Sequence, residues 1–198
     1  MFDSGISVKN LIEELKNTEV DIALDIPNAT YVSWLNALQQ LLYTEVIKEQ
    51  KKTVLKPPFE NNLIAMSSIA DSNENTPRFE DIHAVYADKR QLIKTTVASG
   101  VIFSNTFFRV TDNLAINATV DDALTVVYYV KPALIESIQD TNVMLPVEFI
   151  DLAKAKLRGE AYKLANEDNL AAKWLNDYNV MLETFKAWIS DKSPNFGL

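Results

Sequence analysis

Two helix-forming stretches near the end of the sequence restrict the fold more than any other feature. Apolar residues recur at three- and four-residue steps over 150–164 and again over 170–189, which is typical of amphipathic helices. Pro146 suits a first helical turn because its missing N–H would have no partner there. A polar break before Asp168 favours a cap and a turn. We predict two antiparallel helices, with Gly159 as a weak point in the first.

Two further helices are predicted near the start of the sequence. Ser7 is a plausible N-cap for a short helix that ends at about Asn17, and a second helix runs from about residue 30 to Val46. A lone helix cannot bury its own apolar face, so the helices from both ends of the sequence should pack together. The centre of this predicted bundle consists of Trp34, Leu38, Leu157, Trp174, Tyr178 and Phe185.

The region between these helical segments is rich in β-branched and aromatic residues and has turn signals between its apolar runs. Consecutive hairpins predict an antiparallel meander or a small barrel, which ends at Lys131 because Pro132 cannot donate to a ladder. The fold class is therefore α+β: an antiparallel helix bundle with an inserted antiparallel β meander or small barrel. The predicted strands are 63–69, 82–87, 91–98, 101–103, 107–111, 114–118 and 124–130.

These patterns divide the sequence into three parts. Residues 1–51 and 132–190 form the helical bundle, and residues 52–131 form the inserted β domain. Residues 191–198 form a C-terminal arm, because Pro194 cannot continue a helix. Terminal residues of this kind are ordinarily disordered, and that alternative stays open.

Composition excludes several classes of function. The 198-residue chain has a net charge of −8 and a pI of about 4.7, which argues against tight binding of phosphates in nucleic acids. It has no cysteine, so disulfides, thiolate metal sites and cysteine nucleophiles are absent. The four glycines form no nucleotide-binding motif, and no cofactor or metal is predicted. Neither a signal peptide nor an apolar run of membrane-spanning length is visible, so we expect no membrane partner.

A few charged residues remain as candidates for chemistry. His83, the one histidine, lies in a predicted strand and is more typical of a strand residue than of a general base. Three acidic pairs are more typical of solvated caps and turns than of a metal site: Glu13-Glu14, Asp121-Asp122 and Glu167-Asp168. A basic group on the predicted helix 150–164 either contacts DNA phosphates or an acidic partner, or is a solvated helix face; it consists of Lys154, Lys156, Arg158 and Lys163.

Three pieces of the sequence, in this order and spacing, resemble the head-to-tail adaptor proteins of tailed bacteriophages. The first is Ser-Val-Lys-Asn-Leu-Ile (7–12) followed by a Tyr-x-x-Trp-Leu-Asn-Ala-Leu helix (31–38). The second is a strand that ends Val-Val-Tyr-Tyr-Val-Lys-Pro (126–132). The third is Leu-Pro-x-Glu-Phe (145–149), which leads into 153–164 and a final helix with Asp177-Tyr178. The resemblance is to the connector or head-completion family of the tail-tubular-protein-A type, which carries a β insertion.

This resemblance implies a structural virion protein that is not an enzyme. Such adaptors form a ring, usually of twelve copies, which joins the portal of the capsid to the tail. DNA passes through the ring without sequence-specific binding. The family implies assembly in the bacterial cytoplasm, a place in the neck of the virion, and tail or nozzle proteins as partners for the β domain. It also implies a portal-binding arm with Pro194, Asn195, Phe196 and Leu198. The basic helix residues would then face the lumen or the DNA.

Two alternatives from other classes remain. One is a small enzyme whose site lies in the β region, with His83 and either Asp81 or Asp88 as acid and base. The other is a monomeric ligand-binding or adhesion module, which also explains a β insertion without catalytic motifs.

Overall fold

The computed structural model describes residues 2–18, 26–69, 77–96, 104–139 and 141–192. The chain is α+β, with four α-helices and two β-sheets among these residues, so the predicted fold class is confirmed at this level. Its contacts divide it into two compact units. The helical unit consists of Met1–Ile47 and Pro132–Leu198, and the β unit consists of Lys48–Lys131.

The helical unit is built from the four predicted helices: α1 (Val8–Thr18), α2 (Asn28–Leu42), α3 (Ile150–Leu164) and α4 (Asp168–Lys192). Ser7 caps α1 as predicted, because its Oγ accepts the N–H of Asn10 at 3.1 Å. Past Leu42 the second helix continues as a π-helical turn through Ile47. Pro146 precedes a 3-10 turn, Val147–Phe149, that leads into α3.

Helices α3 and α4 form a hairpin, and Gly159 of α3 faces Leu175 of α4. Asn166 takes up a left-handed conformation with φ 61° in the turn between them. A Cβ built on Gly159 would lie 2.7 Å from side-chain atoms of Leu175 on α4. Leu175 would have to shift to admit a side chain at this position, and the weak point at Gly159 stays a prediction.

The buried face of α4 repeats at seven-residue intervals, through Ala171, Tyr178 and Phe185. Trp174 lies on the flank of this stripe and is half-buried, as is Trp34 on α2. Both were predicted at the centre of the core and instead pack against its edge. The other four predicted central residues are buried: Leu38, Leu157, Tyr178 and Phe185.

The end of α4 differs from the prediction by two residues. The helix continues through Lys192 rather than ending near Ser190, so Asp191 and Lys192 do not belong to an extended arm. Proline at 194 restricts residue 193 before it, and nothing in that restriction prevents helix up to residue 192. The rest of the predicted arm, with Pro194, Asn195, Phe196 and Leu198, lies outside the described residues.

The β unit contains two four-stranded sheets. Their strands are β1 (Gln50–Leu55), β2 (Leu63–Ala65), β3 (Ile82–Ala87), β4 (Arg90–Gln91), β5 (Ile93–Lys94), β6 (Thr106–Val110), β7 (Asn113–Asn117) and β8 (Leu124–Tyr129). The orders are β1-β8-β3-β4 and β2-β7-β6-β5, and among the described strands only the β5–β6 pair is parallel. Alternate residues of both sheets meet in one apolar core that includes Val85, Phe107, Leu114 and Val126.

This strand order corrects the predicted antiparallel meander. In the part of the unit that the structure describes, the first strand pairs with the last, Gln50 opposite Tyr129, and only β3–β4 and β6–β7 are hairpins of consecutive strands. Residue pattern identifies a strand and its buried face, but it does not identify the partner of that strand. Several bounds change too: the predicted strand 63–69 turns into a 3-10 helix at Met66, and 91–98 is interrupted at Leu92. Strand 101–103 lies outside the described residues.

Candidate functional site

Three amide side chains of α2 hold the segment that returns from the β unit to the helical unit. Asn36 binds both backbone groups of Ile135: its Oδ1 accepts the N–H at 2.8 Å and its Nδ2 donates to the C=O at 3.1 Å. Gln40 Nε2 donates to the carbonyl of Pro132 at 2.7 Å. Gln39 Oε1 accepts the N–H of Met144 at 2.7 Å. We call Asn36, Gln39 and Gln40 the amide clamp.

The N-terminal residues hold the same segment through backbone bonds. Val143 donates its N–H to Ile6 at 2.9 Å and accepts the N–H of Ser4 at 3.1 Å. Val8 donates its N–H to the carbonyl of Thr141 at 2.8 Å. An irregular segment satisfies few backbone groups by itself, so the clamp and the N-terminal residues replace the partners that a helix or a sheet supplies.

Gln39 is the most buried member of the clamp, with 1% of its surface exposed. Its Nε2 has no hydrogen-bond partner among the described residues. A buried unpaired donor costs about 1–3 kcal/mol, so this side chain weakens the helical unit unless its bond to Met144 compensates. The spacing of the clamp follows from α2: residues 36, 39 and 40 lie on one face of a helix.

The predicted basic group lies along α3, and three of its four members make contacts within the helical unit. Lys154 Nζ lies 2.6 Å from Glu14 and 3.4 Å from Asp151. Burial would lower the pKa of Lys154, but the hydrogen bond and charge of Glu14, together with Asp151, outweigh burial and raise it. Lys156 pairs with Glu160 at 2.6 Å.

Arg158 and Lys163 complete this group, and they differ in exposure. The guanidinium of Arg158 lies 4.6 Å from the ring centroid of Trp174 and donates to Thr18 Oγ1 at 3.1 Å. Lys163 is exposed near the end of α3. The four residues therefore share a helix but not one free basic surface, and a lumen or DNA-facing role for them stays a prediction.

The three residues of the alternative enzyme site have separate environments. His83 is exposed at a β-bulge, and its Nδ1 lies 3.1 Å from the hydroxyl of Tyr129. Asp81 is buried and forms an ion pair with Lys131 at 2.5 Å. Asp88 accepts backbone N–H bonds from residues 121–123 at 2.8–3.3 Å. These bonds, chiefly those from Asp122 and Ala123, lower the pKa of Asp88 below its ordinary value. Among the described residues, His83 contacts Tyr129 through a hydrogen bond and its ring, and neither aspartate is its partner.

The acidic pairs do not assemble into larger groups. Glu14 contacts Lys154, Glu13 lies 3.8 Å from Lys9, and the backbone N–H groups of Asp121 and Asp122 bind Asp88. Within the described ranges, no cluster of three or more His, Asp or Glu side chains is placed to hold a metal ion.

The β unit also contains two open clefts that the sequence did not indicate. One, of about 740 Å³, is lined by Pro57, Phe59, Asn62, Arg90, Asn105 and Asp121 among other residues. The second, of about 560 Å³, is lined by Met66, Arg78, Glu80 and Arg109, with Arg109 Nη1 3.5 Å from Glu80. No sequence motif marks either cleft, because their residues come from separate loops.

A further feature that the sequence analysis missed is a row of exposed lysines along β1. Lys52 lies within the strand, and Lys48 and Lys56 flank it. The signal was present in the sequence for Lys52 and Lys56, since a four-residue step places side chains on the same face of an extended strand. Lys48 precedes the strand and has a left-handed backbone with φ 48°.

None of the described helices is long and apolar enough to span a membrane. The sequence matches no protein-family model, and it matches no curated protein.

Proposed function

We propose that this chain is a structural adaptor of a bacteriophage virion. Copies of it form a ring, of about twelve by the family resemblance, between the capsid portal and the tail, and DNA passes through the ring. The role requires no catalysis and no cofactor. It places the protein in the neck of the virion after its synthesis in the bacterial cytoplasm.

The amide clamp is the observation that supports this proposal most directly. The three strings that carry the resemblance are distant in the sequence, yet side chains of α2, at the end of the first string and just after it, bind backbone groups near the end of the second string and directly before the third. Asn36 and Gln40, from the first string and the residues that follow it, bind Ile135 and Pro132, at and after the end of the second. Gln39 binds Met144, which directly precedes the third. Residues that jointly hold the segment returning from an insertion are expected to recur wherever this architecture recurs.

The charge of the helical unit is compatible with a channel for DNA. It contains seventeen acidic and nine basic residues, a net charge of −8, whereas the β unit has ten of each. A wall that repels phosphates keeps its contacts with passing DNA loose and non-specific.

The portal and tail contacts are assigned to different parts of the chain. The arm with Pro194, Asn195, Phe196 and Leu198 docks on the portal, since two apolar side chains beyond a proline suit capture in a groove. The β unit contacts tail or nozzle proteins. Deleting residues 194–198 should leave the melting temperature unchanged and weaken co-sedimentation with portal rings. Equal portal binding by the truncated and full-length chains would contradict the arm assignment.

Electron microscopy tests the proposal as a whole. The purified chain is mixed with portal protein produced from the genome that encodes the chain, and negatively stained particles are classified. We expect a second ring with a central channel below the portal. A chain that leaves the portal rings bare and forms no ring of its own would refute the adaptor role.

The 740 Å³ cleft favours one alternative, a ligand-binding or adhesion module. Its amide, guanidinium and carboxylate groups beside Phe59 and Pro57 would suit a polyhydroxylated ligand. Titration with soluble mono- and disaccharides, followed by amide chemical shifts, distinguishes the two functions. Saturable shifts confined to the cleft residues in a strictly monomeric chain would favour the module.

A further inference from the structure

The outward face of the sheet β1-β8-β3-β4 combines positive charge with apolar and aromatic side chains. Lys52 and Val54 point outward from β1, and Val54 is 54% exposed. The register places Val127 beside Lys52, and Tyr129 lies on the same face with its partner His83. We call this surface the lysine face.

No acidic residue points outward from the four strands of this sheet, all of which belong to the described ranges. Lys48 and Lys56 are exposed at the two ends of β1 and add to the positive charge. No ion pair joins Lys52 or Lys56 to another described residue. An edge strand that carries lysines is protected against backbone pairing, yet its side chains remain free to attract an acidic surface.

The tip of the α3–α4 hairpin has complementary properties. Leu164 and Leu170 are 57% and 40% exposed on either side of the turn. The exposed Glu167 and Asp168 lie between these two leucines, and Lys163 is the one basic residue beside them in the sequence. The tip belongs to the unit that carries the whole net charge of −8. Apolar residues with neighbouring carboxylates match a surface of valine, tyrosine and lysine.

We propose that the hairpin tip of one copy docks on the lysine face of a second copy. Leu164 and Leu170 then cover Val54 and Val127, while Glu167 and Asp168 approach Lys52 and Lys56. The contact joins two different surfaces of the same chain, so it is head-to-tail and leaves the pair of copies with one free tip and one free face. This inference rests on the proposed ring, because such a contact closes into a ring or continues as a filament.

Charge favours another copy of this chain over a nucleic acid as the occupant of the lysine face. A nucleic acid, duplex or single-stranded, would have to approach a protein with a net charge of −8. Every copy of the chain, by contrast, carries one lysine face and one acidic helical unit, so the two surfaces are always present in equal amounts. Binding of a nucleic acid is nevertheless measurable and enters the test as an opposing outcome.

Two variants, each defective in one surface, test the contact. The face variant Lys52→Glu/Lys56→Glu keeps its tip, and the tip variant Leu164→Ser/Leu170→Ser keeps its face. We expect the unmodified chain to associate, more weakly as salt rises from about 50 to about 500 mM. Light scattering after size-exclusion chromatography should show that each variant needs at least about tenfold more protein to associate.

Mixing the two variants gives the sharpest result. The tip of the face variant meets the face of the tip variant, so a one-to-one mixture should form a complex of two copies that grows no further. A symmetric dimer with two tip–face contacts would keep one of them in the mixture, but its unmodified chain would stop at two copies, whereas a head-to-tail contact lets the unmodified chain grow beyond two. A mixture that stays monomeric would overturn the proposal.

A charge-matched control, Lys9→Glu/Lys186→Glu, should associate like the unmodified chain, and circular dichroism melts verify that all variants are folded. If glutamates unfold the face variant, Lys52→Gln/Lys56→Gln replaces it. A strictly monomeric unmodified chain, or equal loss of association in the control, would refute the contact. So would binding of a 30-base-pair duplex that the face variant abolishes while all copies remain monomeric. Normal portal-bound rings from the face variant would refute this interface and leave the adaptor role intact.

Discussion

The helical unit and the β unit differ in where their stabilising contacts lie along the sequence. In the helical unit, most backbone bonds join residues four apart, and α3 and α4 are connected by a turn of three residues, 165–167. In the β unit, the sheet depends on pairing Gln50 with Tyr129 across most of the unit. The difference indicates that the helices are specified locally, whereas the sheets form only when distant strands meet.

The two units also differ in how charge and connection are arranged. The net charge is confined to the helical unit, and the chain enters and leaves the β unit at adjacent points, with Val130 donating its N–H to Glu49 at 2.8 Å. An insertion whose two ends lie close together requires little change in the structure of the unit that carries it. The amide clamp then fixes the returning segment after the exit, within the helical unit.

The largest expected effect follows removal of the whole β unit. Replacing Lys48–Lys131 by about eight Gly and Ser residues should leave a folded, helical remainder, because the two ends of the insertion lie close together. Circular dichroism should show cooperative melting of helix with no strand signal. A remainder that is unfolded at room temperature would show that the β unit is needed for the helical unit to fold.

The next largest effect tests the core of the helical unit. Phe185 is fully buried, with its ring centroid 4.8 Å from that of Phe149. Phe185→Ala should lower the free energy of unfolding by about 3–5 kcal/mol because it leaves a cavity. Val180→Ala, on the same helix at 62% exposure, should change it by less than about 0.5 kcal/mol. Urea titrations of both variants measure the difference, and equal values would place Phe185 outside the core.

A smaller effect is expected at the amide clamp. Asn36→Ala removes both hydrogen bonds to Ile135 and should cost about 1–3 kcal/mol, because partly buried backbone groups lose their partners. Amide hydrogen exchange at Ile135 should accelerate, while exchange in α4 changes only with global stability. Asn176→Ala, at an exposed position on α4, serves as the control. Unchanged exchange at Ile135 would mean that the N-terminal residues alone hold the segment.

The comparison also explains which parts of the fold could be predicted from the sequence. Helical periodicity depends on near neighbours, so Ser7 as a cap and Asp168 as a helix start were predicted correctly. Trp174 was placed in the core because it follows the three-four pattern, but it is half-buried on the flank beside Arg158, and the buried stripe runs through Tyr178 and Phe185. Periodicity gives a face about half a helix wide, and packing selects the part of it that is buried.

Strand partners and the candidate site were less accessible to sequence analysis. The bounds of β3 were predicted from its residues, whereas its neighbour β8 depends on contacts more than thirty residues away. The amide clamp was missed because asparagine and glutamine on a helix carry no motif, and their partners are backbone atoms of a distant segment. The exposed lysines of β1 follow a visible spacing, but which sheet face they occupy depends on the pairing with β8.

The smallest effect concerns a turn of the β unit that is held by the side chain of Asp88. Asp88 holds the turn before β8 by accepting N–H bonds from Asp121, Asp122 and Ala123, and it sits at φ 57°, which asparagine also tolerates. Since these bonds lower its pKa in the folded state, Asp88 stabilises the fold above its ordinary pKa of 3.8 and loses that contribution as the pH falls below it.

Asp88→Asn should therefore be less stable than the unmodified chain at pH 6, and the difference in melting temperature should narrow below about pH 4. Asparagine keeps the left-handed turn and one acceptor oxygen, which can receive the two bonds from Asp122 and Ala123, so the substitution removes the charge together with the long bond from Asp121. A difference that stays constant from pH 6 to pH 3 would show that the carboxylate charge contributes nothing and that the turn is held by hydrogen-bond geometry alone.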